Sequence, residues 1–225
     1  MKAPEKITLE IDVVARGLPG DREREVRTFN LTETRFESRE DGTRRITGHA
    51  AVFDQWSEDL GGFREQIARG AFADAIGRDD VRALFNHDTS QVLGRNKSGT
   101  LTLLEDERGL LSEIILPDTS LARDLEVLMK RGDINQMSFA FSVSKDGQDW
   151  QKKGDGDWER TITRVARLYD VSVVTFPAYP QTDAAVREME SRKLESLAAA
   201  VHERKALDTL IFGQQQRLRL AINGL

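Results

Sequence analysis

Asn135-Gln136-Met137-Ser138-Phe139-Ala140-Phe141-Ser142-Val143 alternates strictly and reads as a β-strand. Met137, Phe139, Phe141 and Val143 point to one face, and Ser138, Ala140 and Ser142 to the other. The first face is bulky and belongs in a core. The second is small and leaves room beside it. A serine among small neighbours is either a strand residue packed under a helix or a nucleophile facing a groove, and the strand alone favours packing.

The segments around this strand set the fold class. Arg44 to Phe53 is a strand with Ile46, Gly48, Ala50 and Val52 on one face and Thr47, His49, Ala51 and Phe53 on the other. Gly70 to Gly77 reads as a short helix stopped by glycine. Val81 to Phe85 is a short strand running into Asn86-His87-Asp88, and Gln91 to Arg95, Thr100 to Leu104 and Gly109 to Leu116 are further strands. Asp118-Thr119-Ser120 can cap a helix whose Leu121, Leu125, Leu128 and Met129 form one apolar stripe ending at Arg131-Gly132. Lys145 to Asp157 reads as a polar loop or hairpin tip, and Arg160 to Arg167 and Leu168 to Phe176 as the last two strands.

Toward the N-terminus, Ile7 to Val14 alternates like a strand, Arg16 to Arg27 is rich in glycine, proline and charge and reads as a loop or arm, and Thr28 to Glu37 reads as a short strand. Beyond Pro177 and Pro180, Thr182 to about Phe212 carries an approximate helical stripe, which predicts a long C-terminal helix. The expectation is a mainly β chain with α: a mostly antiparallel barrel or closed sheet carrying helices. It divides into an N-terminal arm with strands of uncertain order (1–40), a central domain (41–181) and a helical tail (182–225).

Composition narrows the function classes. The chain has 225 residues, 39% of them hydrophobic and 32% charged, with a formal net charge of -5. No global basic bias points to nucleic acid. The absence of cysteine fits a reducing compartment and excludes a thiol nucleophile and a cysteine zinc site. No apolar run approaches the roughly 20 residues of a membrane helix, and Met1 to Arg16 has no h-region of a signal peptide. A soluble intracellular protein without a membrane partner is expected.

Only three histidines occur, His49, His87 and His202, so a histidine-rich metal site is not expected, and no cofactor motif is present. Gly94 to Gly99 holds the letters of a phosphate loop in the wrong order and reads as a hairpin turn. His87 closes a short apolar strand, where its side chain reaches an open surface; it is either a hydrogen-bonded surface residue or a base for Ser138. Such a base needs an orienting acceptor. Asp170, set among apolar strand residues, suits that role, or is a structural aspartate satisfied by hydrogen bonds. Ser142 and Lys145 have the spacing of a serine–lysine dyad, which requires a buried lysine.

Ile46 to Phe53 with Phe63 to Phe72, Asn86-His87-Asp88 with Leu93-Gly94-Arg95, Met137 to Phe141, and Asp170 to Tyr179 follow one another in an order that resembles the tailed-phage prohead maturation proteases. The ordered matches run from about Arg44 to Thr182. The resemblance implies a serine endopeptidase with the fold of the herpesvirus assemblins, a β-barrel core surrounded by helices. It implies His87 and Ser138 as catalytic residues and Asp170 as the third member, where many relatives carry glutamate. It implies oxyanion support from a backbone N–H or an arginine-held water, with Arg164 and Arg167 as candidates against their reading as exposed strand charge. The implied substrates are the scaffold or delta segment of a major capsid protein, and the chain itself, inside an immature shell in the host cytoplasm. A homodimer is implied by the assemblins. The alternative is a non-enzymatic scaffold or capsid-assembly protein associating through its C-terminal helix.

Overall fold

The long strand Gln136–Val143 (β9) lies second from the edge of a five-stranded sheet. The structure, a computed structural model, describes residues 24–29, 34–38, 42–154, 157–176 and 189–204. The sheet runs in the order β1 (Glu25–Phe29), β9, β12 (Val165–Val174), β5 (Arg82–Phe85), β6 (Asp88–Arg95). All of its pairs are antiparallel except β12 with β5. A four-stranded antiparallel sheet has the order β2 (Arg35–Ser38), β3 (Arg44–Val52), β8 (Gly109–Ile115), β7 (Leu101–Glu105). A three-stranded sheet joins the hairpin β10 (Gln148–Lys153) and β11 (Asp157–Ile162) to β4 (Phe63–Ile67), which runs parallel to β11.

The chain is mainly β with few helices, as its alternation predicts. The closed antiparallel barrel is not what forms. Among the described residues, three separate sheets form instead, two of them containing a parallel pair, and each ends in edge strands. The register explains part of this. β3 carries a bulge between His49 and Ala51, so Ala50 and Ala51 are both buried and the regular two-face reading of that strand fails.

The main core lies between the five-stranded and four-stranded sheets. Met137, Phe139 and Phe141 of β9 meet Ile46, Leu110 and Ile114, and are joined by Ala75 from α1 (Ala73–Arg78) and Leu125 from α2 (Ser120–Arg131). The Phe139 ring stacks on Phe141 at 4.7 Å and meets Phe72 edge-on at 5.3 Å. β3 approaches β9 closely at Gly48, where a Cβ would stand 2.8 Å from Met137 Sδ and 3.0 Å from Thr34 Oγ1. The α2 ends are as the sequence predicts: Thr119 Oγ1 accepts from Ala122 N–H, and Gly132 closes the helix in the left-handed conformation. The α1 helix instead continues through Gly77 to Arg78.

Two readings near the termini change. Glu25 to Arg27, expected in a loop, lies in β1. Phe63 to Ile67, to which no strand is assigned from the sequence, forms β4. The predicted strand at Ile7 to Val14 lies outside the described residues. Of the predicted C-terminal helix, residues 189–204 are helical; its Met189 is buried against Leu60, Phe63 and Trp158, while Leu194, Leu197 and Val201 are exposed. Among the described residues, no helix is long and apolar enough to cross a membrane.

Candidate active site

Three adjacent strands of the five-stranded sheet bring His87, Ser138 and Asp170 together. Antiparallel register sets Ser172 of β12 opposite Ser138 and Asp170 opposite Ala140, so Ser138, Asp170 and Ser172 share the small face of the sheet. β5 runs parallel to β12 and delivers the chain to a two-residue turn, Asn86-His87, before β6 begins. Both residues have positive φ, 53° and 57°, the conformation that a two-residue hairpin turn demands. A histidine in the left-handed region is uncommon. It is held there by Asn86, whose N–H donates to Val173 O at 2.9 Å and whose Oδ1 accepts from Thr175 N–H at 2.9 Å. The turn is thereby tied to β12, and the His87 ring reaches both Asp170 and Ser138.

The distances are short. His87 Nδ1 lies 2.6 Å from Asp170 Oδ1, and Nε2 lies 2.7 Å from Ser138 Oγ. A carboxylate only accepts, so Nδ1 carries a proton toward Asp170 and Nε2 faces the serine hydroxyl. Asp170 is 2% exposed, and a buried carboxylate requires partners. It has three: the His87 ring, the Ser172 hydroxyl donating at 2.7 Å, and the Arg24 guanidinium at 2.7 Å. Ser172 Oγ is also 3.2 Å from His87 Nδ1.

The small face is not open. Ser138 and Ala140 are 0% exposed and Ser142 is 5% exposed. The expected room beside Ser138 is filled by the His87 and Asp170 side chains and by the backbone of β1, whose Arg27 O accepts a hydrogen bond from Ser138 Oγ at 2.8 Å. A cleft of about 330 Å³ lies elsewhere, on the three-stranded sheet beside Phe63, Arg64 and Trp158, and His87, Ser138 and Asp170 do not line it.

Arg164 and Arg167 are not brought to the serine. Arg164 pairs with Asp146 on the surface, and Arg167 is exposed with its guanidinium 4.8 Å from the Tyr169 ring centre. Arg167 pairs in register with Ser142, four residues and therefore about 13 Å along the strand from Ser138. Lys145 is exposed in a short turn after β9, so the serine–lysine dyad lacks its buried lysine. His49 contacts Asp106 at 2.8 Å, and His202 is exposed on the C-terminal helix.

Arg24, Asn86 and Ser172 were not legible as site residues. Ser172 could have been found, because it stands two residues from Asp170 on the same strand face. Arg24 could not, because its partner is 146 positions away.

Beneath the site, β1 is anchored by a buried charge cluster. Arg27 bonds Glu65 of β4 through both Nε and Nη2, and Glu25 receives two hydrogen bonds from Arg160 of β11, at 2.7 and 2.8 Å. Arg160 Nη1 also reaches Glu65 at 3.1 Å, and its Nε donates to Gln148 at 2.7 Å. Burial favours the neutral form of Glu25, but the Arg160 and Arg27 guanidiniums outweigh it and hold the carboxyl below its ordinary value of 4.5. A folded-state pKa below the unfolded one gives stability that is complete above the unfolded value and lost as pH falls through the folded one. Wild-type stability should therefore fall below about pH 4.5. Glu25→Gln should flatten that dependence and lower stability at pH 7 by about 3–5 kcal/mol. Urea midpoints measured from pH 7 to pH 3 test both expectations.

Comparison with known proteins places this geometry in context. A model of the caudovirus prohead serine protease family matches residues 31–197. The prohead protease of Enterobacteria phage HK97 is 33% identical over 165 residues, spanning 71% of this chain and 68% of its own length. Among solved structures, the bacteriophage T4 capsid assembly protease aligns over 68% of this chain and 97% of that one, at 10% identity and a TM-score of 0.45.

Proposed function

This chain belongs to the caudovirus prohead serine protease family and is a prohead maturation protease, and from that premise we propose that it cleaves by acyl transfer through Ser138, His87 and Asp170. The observation that carries this reading is the chain of two hydrogen bonds, 2.7 Å from Ser138 Oγ to His87 Nε2 and 2.6 Å from His87 Nδ1 to Asp170 Oδ1. His87 takes the Ser138 proton as Oγ bonds to the peptide carbonyl carbon. The C–N bond then breaks, and the imidazolium gives its proton to the leaving amine. Water, deprotonated by the same ring, hydrolyses the ester and returns the serine. Asp170 fixes the tautomer and stabilises the imidazolium, Ser172 positions Asp170, and Arg24 pairs with Asp170 while β1 is in place.

The catalytic unit in this reading is residues 41–181, flanked by an arm that contributes β1 and by the helical tail. Its substrates are the scaffold or delta segment of the major capsid protein, and the chain itself, within the procapsid. A homodimer is part of the same reading. The order histidine, serine, third member is shared with the herpesvirus assemblins, with Asp170 standing where the assemblins use a second histidine. Co-expression with the capsid protein of the same phage tests the proposal. Capsid protein shortened by loss of a scaffold or delta segment, measured by intact mass, supports it. Capsid protein of full mass inside assembled shells overturns it.

Ser172→Ala removes one hydrogen bond to Asp170, which is worth about 1.4 kcal/mol or tenfold in rate. The expected result is kcat about tenfold lower with KM unchanged, and rescue by Ser172→Thr. A purely structural role would lower the folded fraction without this split.

A further inference from the structure

The serine of the site is occupied by the chain's own backbone. β1 pairs antiparallel with β9, with Thr28 opposite Ser138 and Arg27 opposite Phe139. The peptide bond after Arg27 is therefore the one seated at the nucleophile, with Arg27 O 2.8 Å from Ser138 Oγ. Arg27 O and His87 Nε2 compete for the single proton of the Ser138 hydroxyl, and the seated carbonyl is bound without being attacked. Ser138 is 0% exposed while β1 is in place. A peptidase must admit an extended peptide here, and the edge of β9 that β1 covers is a strand edge of the kind that binds peptides by strand addition. β1 also ends before residue 31, where the match to the family begins, so it lies outside the shared unit.

The side chains of β1 show what that edge selects. Glu25 and Arg27 stand two residues apart on one strand face and enter one buried site. Arg27 meets the Glu65 carboxylate through two nitrogens, and its guanidinium lies 5.7 Å from the Phe141 ring centre. Glu25 meets Arg160 through both its oxygens. Glu65 and Arg160 come from neighbouring strands of the three-stranded sheet and pair in register. Their sheet, in the order β10, β11, β4, does not include β1.

We propose that Glu65 and Arg160 are the specificity-determining residues of the substrate strand site, and that β1 is a self-ligand filling it. The substrate is an extended peptide with a basic residue immediately before the scissile bond, held by Glu65, and an acidic residue two positions earlier, held by Arg160. It takes the place of β1 against β9. This rests on Ser138 being the nucleophile.

The test uses the full chain and the double variant Glu25→Ala/Arg27→Ala. The double variant removes one charge of each sign from β1 and leaves Glu65 and Arg160 paired with each other. Three probe peptides with common neutral flanks carry Glu-Val-Arg-Thr-Phe, Gln-Val-Gln-Thr-Phe or Arg-Val-Glu-Thr-Phe at the centre. The double variant should cleave the first after its arginine at least tenfold faster than the wild type does, because a tethered strand competes at an effective concentration near the millimolar range. It should prefer the first peptide over the other two by 100-fold or more in kcat/KM. Capsid precursor cleaved by the same preparation, with no discrimination among the peptides or no cleavage of any, overturns this inference and leaves the proposed function standing. Precursor left whole by the wild type overturns the proposed function itself. If the double variant does not fold, cleavage sites of the wild-type chain on the precursor and on denatured casein decide the matter. Enrichment of acidic residues two positions before a basic residue at the cut supports the specificity; its absence overturns it.

Discussion

Ser138→Ala should abolish cleavage of the capsid precursor, with a loss in rate on the order of 10⁶-fold. The Ser138 hydroxyl stands 2.7 Å from His87 Nε2, and alanine removes it without adding volume. Ser172 Oγ faces Asp170 and the Nδ1 side of the ring rather than Nε2. The fold should survive. Ser138 packs in a strand held by β1 and β12 on its two sides, and Met137 and Phe139 anchor it from the opposite face. The variant does leave Arg27 O without the serine's hydrogen bond, which is worth about 1 kcal/mol. Fragment formation is measured by mass spectrometry alongside an unfolding curve, so that loss of chemistry is separated from loss of structure.

Asp170→Asn should slow cleavage on the order of 10⁴-fold in a folded protein. The amide has the shape of the carboxylate but only one acceptor oxygen. If that oxygen meets Arg24, an N–H of the amide faces His87 Nδ1, and the ring must present its lone pair there and its proton toward Ser138. A ring in that tautomer cannot take the serine proton. If the oxygen instead meets His87, the Arg24 guanidinium, 2.7 Å from the other position, faces a donor. Either way a buried group loses a partner, so a modest drop in stability should accompany the kinetic loss. Asp170→Glu should retain more activity than Asp170→Asn, because it keeps the charge. kcat and KM on one peptide substrate, with circular dichroism on each variant, separate these effects.

Much of this site was legible in the residues because its parts are locally marked. The alternation of Met137 to Val143 identifies β9 and puts Ser138 on the small face. Asp170 stands out as a carboxylate in an apolar strand. His87 follows a short apolar strand at a turn, although the positive φ that aims its ring is a property of the hairpin and leaves no mark beyond Asn86 before it. What was not legible depends on long-range pairing. β1 reads as charged loop because Glu25 and Arg27 are charged, and they become buried strand residues only because Glu65 and Arg160 meet them from 38 and 135 positions away. β4 is hidden for the same reason, since its central Glu65 breaks the apolar pattern. The small face of β9 reads as open because sequence shows the size of its side chains and not the neighbour on its edge. The closed barrel failed on similar grounds: turns and alternation do not reveal that β12 pairs with β5, and β11 with β4, in parallel.

The identity of the nucleophile is tested most directly by a fluorophosphonate added while the capsid precursor is being cleaved. Tryptic mass mapping of the chain should then show one adduct, on Ser138, appearing at the rate at which cleavage stops, with none in His87→Ala. Cleavage that continues undiminished with Ser138 unmodified, or an adduct on another residue that stops it, would contradict the account.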